Sequence, residues 1–203
     1  MPSENKMAVR FGVPRSEIRK AYARLKEMGY IYSMQGYGSF FSGKRRRVRL
    51  SLNDVSFSAK MAALGLDYQA KNIGCKRVSG GSLIHTMLEI PYDEPVYKIS
   101  RLRILDGEPA AIHISYLPER LFPTIASDGN SITSVYDYLH SHGHPTLKTE
   151  NNQLTVAAPS KKERSLLDLQ GYASCLVLTC KCISQPSGAI VEIARTVYRS
   201  DRF

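Results

Sequence analysis

The sequence predicts an α+β fold built from two modules, and three observations support this prediction. Beyond residue 70, segments with strand-like and helix-like patterns follow one another, and Asp106-Gly107 and Gln185–Gly188 each separate two β-prone runs as a hairpin turn would. Hydrophobic residues make up 43% and charged residues 23% of the 203 residues, which is ordinary for a folded protein. We therefore expect one large domain or two small ones, with an antiparallel sheet that carries helices on one side.

The third observation is the uneven distribution of charge. Residues 1–50 carry 12 Lys and Arg against 3 acidic residues, a net charge of +9, whereas residues 51–203 carry 16 against 15. This asymmetry favours a basic module that meets a polyanion, followed by a near-neutral module with another task. A solvated basic arm is the alternative explanation.

Composition excludes several classes of protein. No apolar run reaches the ~18–20 residues of a membrane span, and the N-terminal residues lack the apolar core of a secretory signal. The four cysteines include no C-x-x-C pair, which disfavours a disulfide scaffold or a four-cysteine zinc site. We expect a cytoplasmic protein with no membrane partner.

The basic module is predicted to contain two helices and a hairpin. Ser3 is a good N-cap for a first helix that ends at Gly12, and a second helix is expected from Arg15 to Met28. The second helix carries one apolar stripe, formed by Ile18, Ala21, Tyr22, Leu25 and Met28. Two helices joined by a short turn are typical of a helix-turn-helix, whose second helix presents its N-terminal residues to the major groove. Residues 30–34 and 39–42 flank a Gly-rich turn, which predicts a hairpin wing beside that helix.

These motifs resemble the winged helix of the GntR family of bacterial transcription regulators. The resemblance is carried by Pro2-Ser3-Glu4, Arg10–Val13, Arg15, Arg19, Leu25–Gly29 and Gln35–Phe40. It implies DNA contacts from Arg15, Ser16 and Arg19 of the recognition helix and from Gln35 and Gly36 of the wing. Asn5 stands where the family usually has an arginine that contacts DNA, so we include it in the candidate DNA-binding set.

The winged helices of that family begin with a further amphipathic helix, and this sequence starts after its position. The winged helix-turn-helix is therefore expected to be a truncated one. Two explanations stay open: the sequence was shortened at its start, or its DNA reader is impaired.

The rest of the chain is divided into a basic linker and a second module. We predict a DNA-binding domain at 1–42, a linker at 43–50 and an effector domain at 51–203. The linker either is flexible or contacts phosphates. The second module resembles the UTRA effector domain of the HutC branch of GntR regulators, which shares its fold with chorismate lyase. The resemblance is carried by Ile99–Arg103, Asp106–Ala110, Ser115–Pro118, Leu121–Pro123, Val135–Leu139 and Tyr198–Phe203.

An anion-binding site is predicted in the second module. Arg101 and Arg103 are two residues apart on a strand, so they project from one face, and paired guanidiniums suit the capture of phosphate or carboxylate. Ser56, Phe57 and Ser58 precede or open a helix, where free backbone N–H groups bind an anion or where a serine simply caps the helix.

The family resemblance implies further effector-binding residues. Glu192 and Tyr198, six apart on the last strand, match positions that hold the polar body of the ligand. Ser134 and Tyr136 match lining positions at the start of the central helix. His113 stands where many relatives have glutamate, and an imidazole is not a pure acceptor as a carboxylate is.

The sequence thus predicts a ligand-responsive transcriptional repressor, presented as a homodimer on double-stranded operator DNA. It releases or retains this DNA when it binds its effector, a sugar phosphate or another small anion. No catalytic constellation and no cofactor are expected. His140, His142 and His144 allow a metal site, but a solvated loop explains them better, and we predict no metal. The alternatives are an effector-binding sensor that no longer binds DNA and an enzyme of the chorismate lyase type.

Overall fold

The computed structural model describes residues 1–27, 30–42, 48, 56–78, 83–185 and 187–203. Its helices are α1 (Glu4–Phe11), α2 (Arg15–Glu27), α3 (Phe57–Ala63), α4 (Leu83–Leu88), α5 (Ile125–Asp128), α6 (Val135–Ser141) and α7 (Lys161–Leu166), with a 3-10 turn at Glu119–Leu121. Its strands are β1 (Ile31–Met34), β2 (Gly38–Phe41), β3 (Tyr68–Val78), β4 (Val96–Leu105), β5 (Glu108–Pro118), β6 (Leu147–Ala157), β7 (Cys175–Ser184) and β8 (Ile190–Arg199). The predicted α+β class is confirmed.

The second module is built on a six-stranded sheet with the order β3-β4-β5-β8-β7-β6. Every neighbouring pair is antiparallel. The predicted hairpin at Asp106-Gly107 joins β4 to β5, and both turn residues have positive φ, +52° and +78°. Because β8 inserts between β5 and β7, the last of the described strands lies at the centre of the sheet.

Helices cover both faces of this sheet, so the prediction of helices on one side is wrong. On one face, Ile99 and Leu117 pack against Phe122, Ile125 and residues of α6. On the opposite face, Ile112 and Val197 pack against Leu167 and Leu169, which follow α7. Helix α4 joins this second face through Leu88, which packs with Ile193. A sheet with two covered faces buries its central strands on both sides, and β8 is accordingly apolar at most positions.

The first module consists of α1, α2 and the β1-β2 hairpin. Ser3 caps α1 as predicted, because its Oγ accepts a hydrogen bond from the Lys6 N–H, and Gly12 ends the helix with φ of +63°. Ile18 and Tyr22 of the predicted apolar stripe are buried with Ile31 of the hairpin, and Leu25 is partly buried beside them. Helix α1 has no buried residue.

Serine caps mark the start of two helices. Helix α6 begins at Val135, because the Ser134 hydroxyl accepts a hydrogen bond from the Asp137 N–H. Helix α7 begins after Ser160, which forms a reciprocal capping box with Glu163. Among the described residues, no helix is both long and apolar enough to cross a membrane.

Candidate functional site

The predicted cationic pair lies on β4, the second strand of the sheet, on the face covered by α6. Arg101 on β4 is opposite His113 on β5, and His113 is opposite Thr196 on β8. One step along, Arg103 is opposite Ala111, which is opposite Tyr198. Directly opposed residues share a face of a sheet, so strand pairing alone brings both arginines, His113 and Tyr198 together.

A buried hydrogen-bonded chain links Arg101 to a carboxylate. Arg101 is 1% exposed and donates from Nη2 to Ser115 Oγ at 2.6 Å. The Ser115 hydroxyl in turn donates to Glu192 Oε1. His113 Nε2 lies 3.7 Å from the same carboxylate oxygen, which is an electrostatic contact longer than a hydrogen bond. Glu192 therefore serves as the counter-charge of this cluster.

Arg103 is held by aromatic rings. Its Nη1 donates to the Tyr68 hydroxyl, and its guanidinium carbon lies 5.4 Å from the centre of the Phe57 ring and 5.6 Å from that of Tyr68. The Phe203 ring lies 4.7 Å from the Tyr198 ring and 6.3 Å from Phe57. Stacking on π faces stabilises the cation while it excludes water.

Burial shifts the titration of these groups. It lowers the pKa of Arg101 and of Arg103 to about 10, and Glu192 partly opposes both shifts. Burial, together with the charges of Arg101 and Arg103, lowers the pKa of His113 to about 4. For Glu192, burial favours the neutral acid, but the nearby His113 ring, Arg101 and Ser115 outweigh it and hold the pKa below its ordinary value. At neutral pH the cluster contains two guanidiniums, a carboxylate and a neutral imidazole.

The cluster has spare positive charge and spare donors. Among its described side chains, one carboxylate faces two guanidiniums, which leaves one net positive charge in a buried place. Arg101 Nε, Arg103 Nε and His113 Nε2 are buried with no hydrogen-bond partner in the described part of the chain. Unpartnered buried polar atoms are costly in a folded protein. A small anion placed here would satisfy both the charge and the donors.

Two of the three serines predicted for the effector site, Ser56 and Ser134, are helix caps. Ser56 Oγ accepts from the Ala59 N–H at the start of α3 and lies 3.1 Å from Ser58 Oγ, and Ser134 caps α6. Ser56 and Tyr136 nevertheless line one cavity of about 290 Å³, together with Asp137, His140 and residues 145–147. The structure thus brings Ser56 and Tyr136 together beside α6.

The predicted DNA-facing residues are all exposed. Asn5 lies on α1, Arg15, Ser16 and Arg19 lie on α2, and Gln35 and Gly36 lie in the turn between β1 and β2. Arg15 Nε and Arg19 Nε lie 3.0 and 3.5 Å from one Glu4 carboxylate oxygen. The two arginines are therefore held side by side on the exposed face of α2.

Comparison with known proteins identifies the second module. Residues 63–203 match the UTRA domain family, which is more than half of the chain. The chain belongs to the UTRA domain family. Its relatives include helix-turn-helix transcriptional repressors of the GntR family, so the protein is a ligand-responsive transcriptional regulator, as the sequence predicted.

Two curated relatives illustrate the match. The "HTH-type transcriptional repressor NagR" of Bacillus subtilis (strain 168) is 26% identical over 203 residues, which are 100% of this chain and 82% of that protein. The "Probable fructoselysine utilization operon transcriptional repressor" of Shigella flexneri is 32% identical over 168 residues, which are 82% of this chain and 68% of that protein.

Solved structures share the fold. PhnF from Mycobacterium smegmatis superposes with a TM-score of 0.72 at 23% identity and covers 100% of this chain and 88% of its own. The effector domain of PhnF alone gives a TM-score of 0.66 at 20% identity over 77% of this chain. These neighbours confirm the predicted fold, in which a winged helix precedes a UTRA domain.

The two modules of this UTRA regulator meet at a polar cavity of about 380 Å³. It is lined by Lys26, Glu27 and Tyr30 from the first module, and by residues 168–170, 172–174 and 199–201 from the second. The Arg24 guanidinium carbon lies 4.6 Å from the centre of the Tyr172 ring across this boundary. Arg199, which lines the cavity, is buried and is held by Asp201 and by the carbonyl oxygens of Pro109 and Leu167.

The sequence analysis missed four residues that lie around Arg101 and Arg103 in the folded protein: Tyr68, Ser115, Thr196 and Phe203. Ser115 and Thr196 share a strand face with residues already chosen, His113 and Tyr198, so the period of two could have found them. Tyr68 and Phe203 are distant in sequence from both arginines, and no local pattern indicates their contact with Arg103 or Tyr198.

The histidines near α6 have other partners. His142 Nδ1 lies 2.9 Å from the Tyr138 carbonyl oxygen, and His144 Nδ1 lies 2.9 Å from Ser184 Oγ. The described residues contain no group of three metal-ligating side chains close enough to hold an ion. No disulfide bond joins any of the four cysteines, all of which lie in the described part of the chain.

Proposed function

We propose that the protein is a repressor that releases operator DNA when a small anion, with a phosphorylated sugar as the leading class, binds at Arg101 and Arg103. The observation that carries this proposal is the buried net positive charge with its unpartnered donors. Burying an uncompensated charge is expensive, so a ligand that supplies the missing negative charge gains binding energy that a neutral ligand cannot.

Other groups of the cluster suit the hydroxyls of a sugar. Glu192 is an acceptor, whereas Tyr198 and Thr196 carry hydroxyls that both donate and accept. Phe57, Tyr198 and Phe203 offer ring faces beside them. The names of two relatives refer to sugar derivatives, mannosyl-D-glycerate and fructoselysine. We infer that the anionic end of the ligand meets the arginines and that the sugar body lies toward Glu192 and Tyr198.

The DNA-binding part of the proposal rests on the exposed basic face of α2. Arg15, Ser16 and Arg19 lie near the N-terminal end of this helix, which is the end that meets base edges in a helix-turn-helix. We propose that Gln35 and Gly36 in the turn of the wing and Asn5 on α1 also contact the DNA. We keep the division into 1–42, 43–50 and 51–203 as part of the proposal, and we note that Val48 packs with Met61 and Leu105 of the second module.

A palindromic operator requires two readers, so we propose a homodimer. The edge strand β6 offers a pairing surface, because Leu154 and Val156 are exposed on it and residues 151–157 are exposed throughout. Exposed apolar edge strands are templates for pairing with a second chain. Sedimentation at tens of micromolar tests this proposal, and a strict monomer would contradict it.

Regulation requires the anion to prefer one arrangement of the two modules. A ligand shifts an equilibrium only by its difference in affinity for the two states. We propose that the anion-bound cluster favours an arrangement in which the paired winged helices no longer fit the operator. The protein then acts through binding alone, without catalysis.

A thermal-shift screen tests the effector class. Sugar phosphates should raise the melting temperature, since a ligand at a hundredfold excess over Kd stabilises the folded state by ~2.7 kcal/mol. The same sugars without phosphate should have little effect. Arg101→Ala should abolish the response, whereas Arg120→Ala, at an exposed arginine paired with Glu94, should leave it unchanged. A response to neutral sugars alone would contradict the proposal.

A further inference from the structure

His113 occupies an unusual place in the proposed effector site. Its ring is mostly buried, lies opposite Arg101 across the β4-β5 pair and approaches the Glu192 carboxylate at 3.7 Å. Its Nε2 has no hydrogen-bond partner among the described residues. An imidazole between guanidiniums and a carboxylate can change its charge, which none of the other charged side chains of the cluster does near neutral pH.

The charges of the cluster set a condition on the ligand. With His113 neutral, the two arginines and Glu192 leave one positive charge, so a singly charged anion makes the closed site neutral. A doubly charged anion, such as a phosphate monoester above its second ionisation at pH ~6, leaves one negative charge uncompensated. A proton on His113 restores neutrality in that case.

We propose that His113 takes up one proton when a doubly charged anion binds at Arg101 and Arg103, and that it stays neutral when a singly charged anion binds. This inference rests on the proposed function, since it names how the same site discriminates among anions. His113 is then the residue that determines specificity for ligand charge, and the response to a phosphate monoester becomes dependent on pH.

The surroundings of His113 supply the physical basis. Arg101 and Arg103 of β4 act against its protonation, and Glu192 of β8 favours it, while Tyr198 of β8 is neutral because burial raises its pKa to about 12. In the absence of ligand, burial and the arginines prevail and hold the pKa of His113 at about 4. Two negative charges beside the same arginines cancel their repulsion of the imidazolium, so the pKa of His113 rises in the complex.

The consequence is a measurable pH dependence. Above the pKa of free His113, binding of a dianion requires an added proton, so affinity falls about tenfold for each unit of rising pH. The fall ends where pH passes the pKa that His113 has in the complex. A monoanion shows no such dependence.

Sulfate and methanesulfonate form a matched pair of probes. Both are tetrahedral sulfur oxyanions that do not titrate between about pH 5 and 8, but sulfate carries two charges and methanesulfonate one. Because sulfate itself takes no proton, any proton taken up must go to the protein. We would titrate the full chain with each probe across this range and follow the His113 ring by NMR, with the resonance assigned by its loss in His113→Gln.

The expected result has three parts: sulfate affinity falls with rising pH, the His113 ring titrates at higher pH when sulfate is saturating, and methanesulfonate affinity stays constant. In His113→Gln the pH dependence of sulfate binding is lost. If His113→Gln does not fold, the titration of the His113 ring in the unsubstituted protein, with and without sulfate, still tests whether His113 takes up the proton. Sulfate binding that is independent of pH, or a His113 ring unaffected by sulfate, overturns this inference alone. If neither anion binds, the proposed effector site fails together with it.

Discussion

Tyr198 and Arg199 are neighbours on β8 whose side chains leave opposite faces of the sheet. Tyr198 packs against Phe57 and Phe203 in the proposed effector site. Arg199 is held behind the sheet by Asp201 and lines the cavity where α2 meets the second module. One backbone step on a central strand therefore joins the effector site to the boundary of the DNA-binding module, which offers a short physical connection between the two.

The contact between Arg24 and Tyr172 should contribute to this coupling. We predict that Tyr172→Ala reduces, by about fivefold or more, the change in DNA affinity that a sugar phosphate causes, since coupling energies of this size are common. The thermal shift caused by the same sugar phosphate should persist, because Tyr172 lines the cavity at the module boundary and is not one of the residues around Arg101 and Arg103. Tyr92→Ala, at another exposed tyrosine, is the matched control. DNA affinity is measured by fluorescence anisotropy of labelled DNA. If the sugar phosphate changes the DNA affinity of Tyr172→Ala as much as that of the unsubstituted protein, the contact between Arg24 and Tyr172 does not transmit the effect.

Replacing Arg103 should abolish anion binding without lowering the free energy of unfolding. A buried charge that no carboxylate among the described residues pairs directly and whose hydrogen bonds are incomplete costs stability, and an apolar residue of similar length removes that cost. We predict that Arg103→Met raises or preserves the free energy of unfolding in urea while it abolishes the thermal shift with anions. A loss of several kcal/mol would show that Tyr68 and the aromatic rings stabilise the cation more than burial penalises it.

His113 should make the free protein less stable in acid. Its pKa is about 4 in the folded protein against 6.5 ordinarily, so between these values the unfolded chain binds more protons. Stability should therefore fall as pH decreases from about 7 to 4, by on the order of 3 kcal/mol, and this contribution should level off below 4. Urea unfolding of His113→Gln should lack this part of the loss. An identical pH profile in the variant would show that His113 titrates normally.

Glu4 should weaken DNA binding. Its carboxylate pairs with Arg15 and Arg19, the two side chains expected at the DNA, and the hydrogen bond from Arg15, with both arginine charges, lowers its pKa. We predict that Glu4→Gln raises affinity for duplex DNA several-fold at low salt, with a smaller gain as salt rises. Glu17→Gln, on the same module but paired with Lys20, controls for net charge. If the two variants raise DNA affinity equally, the net charge of the first module explains the effect, and the pairing of Glu4 with Arg15 and Arg19 does not.

The sequence predicted the parts of the site that strand periodicity determines. Arg101 and Arg103 share a face because they are two residues apart, and pairing with β5 and β8 then brings His113 and Tyr198 to the same place. Local signals also predicted the Ser3 cap and the turn at Asp106-Gly107. The covering of both faces of the sheet by helices could not be predicted, because the alternation of apolar and polar residues along a strand does not show which helix packs on which face. The packing of Phe203 against Tyr198 and Phe57 was not predicted either. Phe57 is distant from Phe203 in the sequence, and only folding brings the two rings together.

We expect an anion at the buried arginines to control the binding of DNA. The most direct test is the affinity of the full chain for DNA from upstream of its own gene, measured by fluorescence anisotropy at fixed salt, with sugar phosphates or the matching unphosphorylated sugars added. We predict tight binding without effector, loss of affinity with at least one sugar phosphate, no loss with its unphosphorylated sugar, and no response in Arg101→Ala. DNA affinity that no anion changes, or that neutral sugars change equally, would contradict this account.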